Sequence, residues 1–292
     1  MAQLKEIRNR IVSIKNTKQV TNAMKMVSAS KLKKAQDQIL KIIPYDKKLQ
    51  EIIESLEQGG VEFKSKYFLQ PEIKNVLIVV IGTNRGLCGA FNSNVTKYSI
   101  IHAFENYSLQ FKSGDVKFIT IGKQAEKGLT SKDLEIIGDA NELLNNLSSE
   151  KVSELAEVLI NYFLDNKFQR IDIVYNKFKA AAIQTLTAVQ FLPVILPSKK
   201  STDVVLNDFI FEPSRDEIMG SIVPQALKMQ LYRMLIDSNA AEQGARMVAM
   251  HKATENANEM IDKLTTEYNN ARQAAITNEI VEITSGAEAL RN

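Results

Sequence analysis

Residues 225–292, QALKMQLYRMLIDSNAAEQGARMVAMHKATENANEMIDKLTTEYNNARQAAITNEIVEITSGAEALRN, contain no proline and two glycines, Gly244 and Gly286. The stretch is rich in Ala, Met, Leu, Glu, Gln, Lys and Arg, the strongest helix formers. At 1.5 Å per residue, a continuous helix of roughly 60 residues is about 90 Å long. Such a helix projects out of any globule this chain can make. A helix without neighbours also gains little of the tertiary packing that stabilises it. The partner expected for it is the other end of the chain. Residues 2–57 are helix-like as well, interrupted by Pro44 alone. The pattern describes a rod made from both termini, with a smaller domain inserted between them.

In the first helix Leu4, Ile7, Ile11 and Ile14 recur at a spacing of three and four. The register runs on through Lys18, Thr21, Lys25 and Ser28 and returns to Leu32, Ala35, Ile39 and Ile42. This is a coiled-coil seam with a polar middle. Val20, Met24 and Val27 lie off that register and form a second apolar line, which means either a local change of supercoil or a face offered to another partner. At Pro44 the helix should kink or carry on with one hydrogen bond lost, and Gly59-Gly60 should end it. The second long helix should begin near Ser214, an N-cap with Glu217 at the capping-box position. Its seam starts at Leu227, Leu231 and Met234 and continues through the small residues Ala241 and Ala245. It resumes as Ala257, Ile261, Leu264, Tyr268, Ala271 and Ala275.

The middle of the chain alternates. Asn75 to Gly82 (NVLIVVIG) reads as a fully buried strand, followed by a glycine-rich turn and a helix over 94–105. Further strands are expected at 116–122, 134–138, 170–175 and 184–192, with a helix over 149–165. Alternation of strand and helix argues for an α/β layer with a largely parallel sheet. The expected domains are therefore 1–58, 70–197 and 214–292. The fold class is α/β: a long antiparallel coiled coil of N- and C-terminal helices with an inserted Rossmann-like α/β domain.

Composition excludes several chemistries. Cys88 is the only cysteine, so no intrachain disulfide forms, and with only His102 and His251 beside it a zinc site is disfavoured. No apolar run is long enough to span a bilayer, and the N-terminus lacks a signal core. The turn Gly82–Gly89 sits where a phosphate loop would, but it lacks the Lys-Ser/Thr ending and the dinucleotide spacing. Cys88 has no base nearby in sequence and reads as a buried structural thiol. Both histidines read as ordinary helix or surface residues. No active site and no cofactor are expected. Charge is the remaining signal. Net charge is only +3, yet up to Gln50 there are twelve basic residues against Glu6, Asp37 and Asp46. Such an imbalance points to an acidic partner. A basic coiled-coil nucleic-acid binder is the alternative, although the helix has no stacking aromatics.

Three stretches together resemble one family, the gamma subunit of F-type ATP synthase. They are Lys5-Glu6-Ile7-Arg8 with IKNTKQVTNAMKMVSASK (14–31), TNRGLCG (83–89) and EQGARMVAM (242–250) with YNNARQAAITNEIVEITSG (268–286). Asn84 stands where the family turn carries an acid. The resemblance implies a non-catalytic rotor shaft. Its partners would be the alpha and beta subunits of the ring, the epsilon subunit and the membrane c-ring, with no nucleic acid. It would sit on the cytoplasmic face of a bacterial inner membrane with no transmembrane segment of its own. By the same resemblance Met24 matches a methionine whose replacement by a basic residue is associated with poor coupling. Glu242, Gln243 and Arg246 form a polar cluster meeting beta. Arg272, Gln273, Thr277 and Glu279 contact Met24's surroundings and the ring. Phe209 and Glu212 form a foot on the c-ring, with Phe209 where the family often has Tyr. Lys18, Lys25, Lys31 and Lys33 are further candidates for facing an acidic segment of beta.

Overall fold

The computed structural model describes residues 2–57, 66–195 and 215–289. The chain forms two compact units, one made of Met1–Ala29 with Arg246–Asn292, the other of Ser30–Ala245. Helix α1 spans Ala2–Glu57 and α6 spans Arg215–Ala289. Pro44 and Pro224 both lie inside helices, so the chain carries on past each with a backbone donor missing. Ser214, Phe209, Glu212 and Gly59-Gly60 lie outside the described residues.

In the larger unit, β1 (Val76–Ile81) is buried at every position. It is flanked by two parallel neighbours, β2 (Val116–Ile121) and β4 (Arg170–Ala180). The short β3 (Ile136–Asp139) pairs parallel with β2, and β5 (Ile183–Leu192) returns antiparallel on β4. The sheet order is β3-β2-β1-β4-β5. A strand buried on both faces needs no polar alternation, which is why VLIVVI is continuous.

Side chains alternate across the sheet, and the two faces have separate cores. Leu77, Val79 and Ile81 point toward α5 (Ser149–Leu164) and the first turns of α6. Val76, Ile78 and Val80 point toward α2 (Phe91–Asn106) and α4 (Lys123–Thr130). Leu227, Leu231 and Met234, expected to open the seam, are buried in the α5-side core, in one cluster with Ile53 of α1. The start of α6 thus roofs the sheet as well as meeting α1. Two short helices, α3 (Ser108–Ser113) and α4, escaped the periodicity reading. Each is under three turns, too short to establish a pattern.

Burial follows the expected seam on α1. Leu4, Ile7, Ile11, Ile14, Lys18, Thr21 and Lys25 are half-buried, and Ser28, Leu32 and Ala35 are buried. The same spacing extends past the expectation to Asp46, Leu49 and Ile53, all buried. On α6 Met250 and Ala257 are buried, and Ile261, Leu264, Tyr268, Ala271 and Ala275 are half-buried.

Candidate partner-binding faces

The helices of the smaller unit are pinned at their polar middle. The hydroxyls of Thr21 and Thr254 lie 2.9 Å apart, and Thr254 also donates to the Met250 carbonyl at 2.8 Å. With the helices antiparallel, Met24 lies about level with His251. Arg272 is then some twenty residues further along α6, about 30 Å away. The expected contact of Arg272, Gln273, Thr277 and Glu279 with Met24's surroundings therefore does not form within the chain. The four are exposed instead, with the Thr277 hydroxyl bonded to the Gln273 carbonyl at 2.9 Å. The seam on α6 ends at Ala275, and beyond it Ile276, Ile280, Val281 and Ile283 are exposed.

The remaining expected residues divide by face. Lys18 and Lys25 are half-buried seam residues. Met24 is exposed, 38 %, together with Val20 and Val27 at 54 % and 55 %, so the off-register line is an open apolar stripe. In the larger unit Lys31 and Lys33 are exposed, Lys33 pairing with Asp37 at 3.1 Å. Glu242 is half-buried there and Gln243 buried, the Gln243 amide donating to Asn239 Oδ1 at 3.4 Å. Arg246 begins the α6 portion of the smaller unit and is half-buried.

The glycine-rich turn is a socket for α6, not a cradle for phosphate. Cys88 and Phe91 are buried against Ala241, with Phe178 and Ala245 beside them. The Asn92 amide donates to Cys88 Sγ at 3.3 Å, consistent with a structural thiol. Two backbone donors beside the turn are already bonded. Thr83 N–H goes to Asn92 Oδ1 at 3.1 Å, and Lys123 N–H to Asn84 Oδ1 at 3.2 Å. Gly122 adopts φ +118, and a Cβ there would stand 2.6 Å from Thr83 N, so only glycine fits between the two turns.

Asn84 uses both ends of its amide. Its Nδ2 donates to the Asn141 carbonyl at 2.8 Å and to Asn145 Oδ1 at 3.1 Å. A carboxylate can accept from Lys123 but cannot donate. Asn84→Asp is expected to lower stability by about 1–2 kcal/mol, measured by urea unfolding of the isolated chain.

Gly244 is another point where α6 meets the α/β body. A Cβ there would stand 2.9 Å from the Ala181 carbonyl oxygen, at the tip of the β4–β5 hairpin. That carbonyl also accepts from Gln184 Nε2 at 2.9 Å. Helix propensity favours alanine by about 1 kcal/mol, whereas an overpacked contact costs about 1–3 kcal/mol. Gly244→Ala is expected to be net destabilising and Gly244→Val more so, each read as a lowered urea midpoint.

One buried polar cluster was invisible in the sequence. Asp172 of β4 accepts from Tyr107 OH at 2.6 Å and from Arg170 Nε at 3.2 Å. His102 Nε2 lies 2.7 Å from the same carboxylate. Asn106 Nδ2 sits 3.0 Å from the His102 carbonyl, a pure acceptor, and 3.1 Å from His102 Nδ1. That amide atom must therefore be the nitrogen, so Nδ1 accepts and the ring proton sits on Nε2, donating to Asp172. The outward nitrogen faces an amide rather than a nucleophile, so the pair ties α2 to β4 instead of activating a hydroxyl. Burial first, then the Asp172 carboxylate, pushes the Tyr107 hydroxyl well above the usual phenol range. His102 is thus not the ordinary surface residue expected. Its partner lies 70 residues away.

Two unlike helices, one basic with an open apolar stripe, flank an α/β body in the sequence. That combination matches one group of proteins. The model of the family described as ATP synthase matches residues 3–290. The ATP synthase gamma chain of Flavobacterium psychrophilum is 48 % identical and covers all of both chains. The chain belongs to the gamma-subunit family of ATP synthases. The gamma chain of Christiangramia forsetii is also 48 % identical, over 99 % of each chain. Among solved structures, a chain of the Euglena gracilis mitochondrial ATP synthase (OSCP/F1/c-ring, rotational state 3) shares the fold with a TM-score of 0.71. It is 20 % identical, covering 99 % of this chain and 95 % of that one. Membership of the gamma family leaves the nucleic-acid-binding alternative without support. Among the described residues no helix is long and apolar enough to cross a membrane, and no group of side chains could hold a metal.

Proposed function

We propose that this chain is the central rotor shaft of an F-type ATP synthase. It couples ion-driven rotation of a membrane c-ring to conformational change in a ring of alpha and beta subunits. The subunit itself is non-catalytic, binds no cofactor and also meets an epsilon subunit. It lies peripherally on the cytoplasmic face of a bacterial inner membrane, in keeping with its bacterial relatives. Segments 1–58 and 214–292 are assigned to the shaft, and 70–197 to the body that receives torque. The observation carrying this reading is the full-length match to ATP synthase gamma chains at up to 48 % identity.

A shaft does work only by binding different states of the ring with different free energy; equal contacts in every orientation shift nothing. Two dissimilar helices supply that asymmetry. The faces assigned to the ring are Lys18, Met24, Lys25, Lys31 and Lys33 on α1, with Glu242, Gln243, Arg246, Arg272, Gln273, Thr277 and Glu279 on α6. Phe209 and Glu212 are assigned to the c-ring. Reconstitution tests the reading. The tagged chain should co-purify with alpha and beta subunits and restore ATP-driven proton pumping to gamma-depleted membranes. A chain that hydrolyses ATP alone, or fails to join the ring, overturns it.

A further inference from the structure

The long helices of the smaller unit meet where the seam of α1 is least apolar. Lys18, Thr21, Lys25 and Ser28 are successive seam positions, spanning about 15 Å of helix. Thr254 fills the place in the α6 seam between Met250 and Ala257, at the same spacing of four and three. With Thr21 opposite Thr254, counting outward in opposite directions brings Ile14 to Ile261 and Ile7 to Tyr268. The same count sets Lys18 against Ala257 and Lys25 against Met250. Apolar layers close the seam at one end, whereas through the polar stretch each layer carries a polar side chain from α1. One residue before Thr21, Lys25 and Ser28 stand Val20, Met24 and Val27, exposed and about 100° round the helix. Burial of apolar area alone would favour that line at the seam, yet α1 turns its polar line inward.

The threonine pair supplies a contact that burial does not. Thr21 Oγ1 lies 3.0 Å from the Lys18 carbonyl and Thr254 Oγ1 2.8 Å from the Met250 carbonyl, with 2.9 Å between the two hydroxyls. Each hydroxyl has one proton to give. When Thr21 donates across the seam, Thr254 donates to Met250. In the reverse order Thr254 donates across and Thr21 donates to Lys18. Either way one bond crosses between the helices, and neither hydroxyl is left unpaired. A polar seam residue of this kind fixes the alignment of two helices at a cost in stability.

We propose that Thr21 and Thr254 are positioning residues. Their bond holds α1 at one distance and rotation from α6, and so keeps the Val20–Met24–Val27 stripe facing outward. Valine has the shape of threonine with a methyl in place of the hydroxyl. Two methyl carbons approach to about 4 Å at best, so valine at both positions spreads the helices by about 1 Å. Methyl contact has no direction, so the rotation is no longer specified. Stability should not fall, because replacing both partners of a hydrogen bond by apolar groups of the same shape is close to neutral. The stripe's part in coupling rests on the rotor assignment; the alignment does not.

Spin labels on cysteines introduced at Gln19 and Asn256, both exposed, read the alignment in the isolated full chain, with the buried Cys88 left in place. The wild type should give one narrow distance. Thr21→Val with Thr254→Val should give a broader distribution with a mean longer by about 1 Å, and a urea midpoint no lower than wild type. Thr21→Ser with Thr254→Ser keeps both hydroxyls and should restore the narrow distance. In the reconstituted complex the valine chain should pump fewer protons per ATP hydrolysed, and the serine chain as many as wild type. A valine chain as narrow as wild type, a serine chain as broad as the valine one, or a lowered midpoint in the valine chain overturns the alignment role. A broadened valine chain that pumps as well as wild type overturns the link to coupling. A wild-type chain that fails to join the ring overturns the rotor assignment instead, and the distances still decide the alignment.

Discussion

Replacing Asp172 with alanine is expected to remove about 3 kcal/mol of stability or more, the range for breaking a buried ion pair from one side. Tyr107 OH and the His102 Nε2 proton lose their acceptor together, while Arg170 Nε keeps only its bond to Tyr107 OH at 2.9 Å. The Asp172 side chain is only 3 % exposed, so water replaces it poorly, whereas Arg170 at 27 % can turn partly outward. The loss should therefore fall toward the lower end of the range. Asp172→Asn keeps one acceptor and should lose less. Urea unfolding of the isolated chain followed by circular dichroism gives both values. An alanine variant within about 0.5 kcal/mol of wild type would mean that the Tyr107 and His102 donors find other partners.

The second large effect is functional. Met24→Lys should leave the isolated chain as stable as before, because Met24 is exposed and lies off the seam. In the assembled complex it adds a positive charge to a stripe assigned to the ring. One new charge-assisted contact stabilises a resting orientation by about 1–2 kcal/mol, a factor of roughly 5–30 in its occupancy. A rotor that lingers in one orientation delivers less work per turn. Protons pumped per ATP hydrolysed should fall several-fold while binding to the ring persists. Unchanged pumping efficiency would remove Met24 from the coupling face. Unfolding of the isolated variant would instead place it in the core.

Much of this architecture was written in local pattern. The heptad register of α1 could be followed through its polar middle, because Lys18, Thr21 and Lys25 keep the spacing even though they are not apolar. The VLIVVI strand and the switch to helical period in 149–165 gave the α/β layer. Pairings remote in sequence left no trace. Asp46 and Arg233 are 187 residues apart, and nothing in either neighbourhood names the other. Ala241 and Ala245 looked like seam residues because small side chains suit close helices. Their neighbours include Cys88 and Phe91, the far side of a turn no periodicity could link to them. Contacts of Arg272 and its neighbours with Met24 were inferred from likeness. The Thr21–Thr254 level shows that within one chain the two sets stand too far apart.

The socket at Ala241 and Gly244 has a mechanical consequence. Alanine and glycine have no rotatable side-chain bonds, so on the α6 side of this contact no rotamer can hop to absorb a twist; the side chains that can turn there, Phe91 and Phe178, belong to the body. Long flexible residues there would let the body slip by fractions of an ångström before any load reached the helix. Here the α6 side of the joint contributes no such slack.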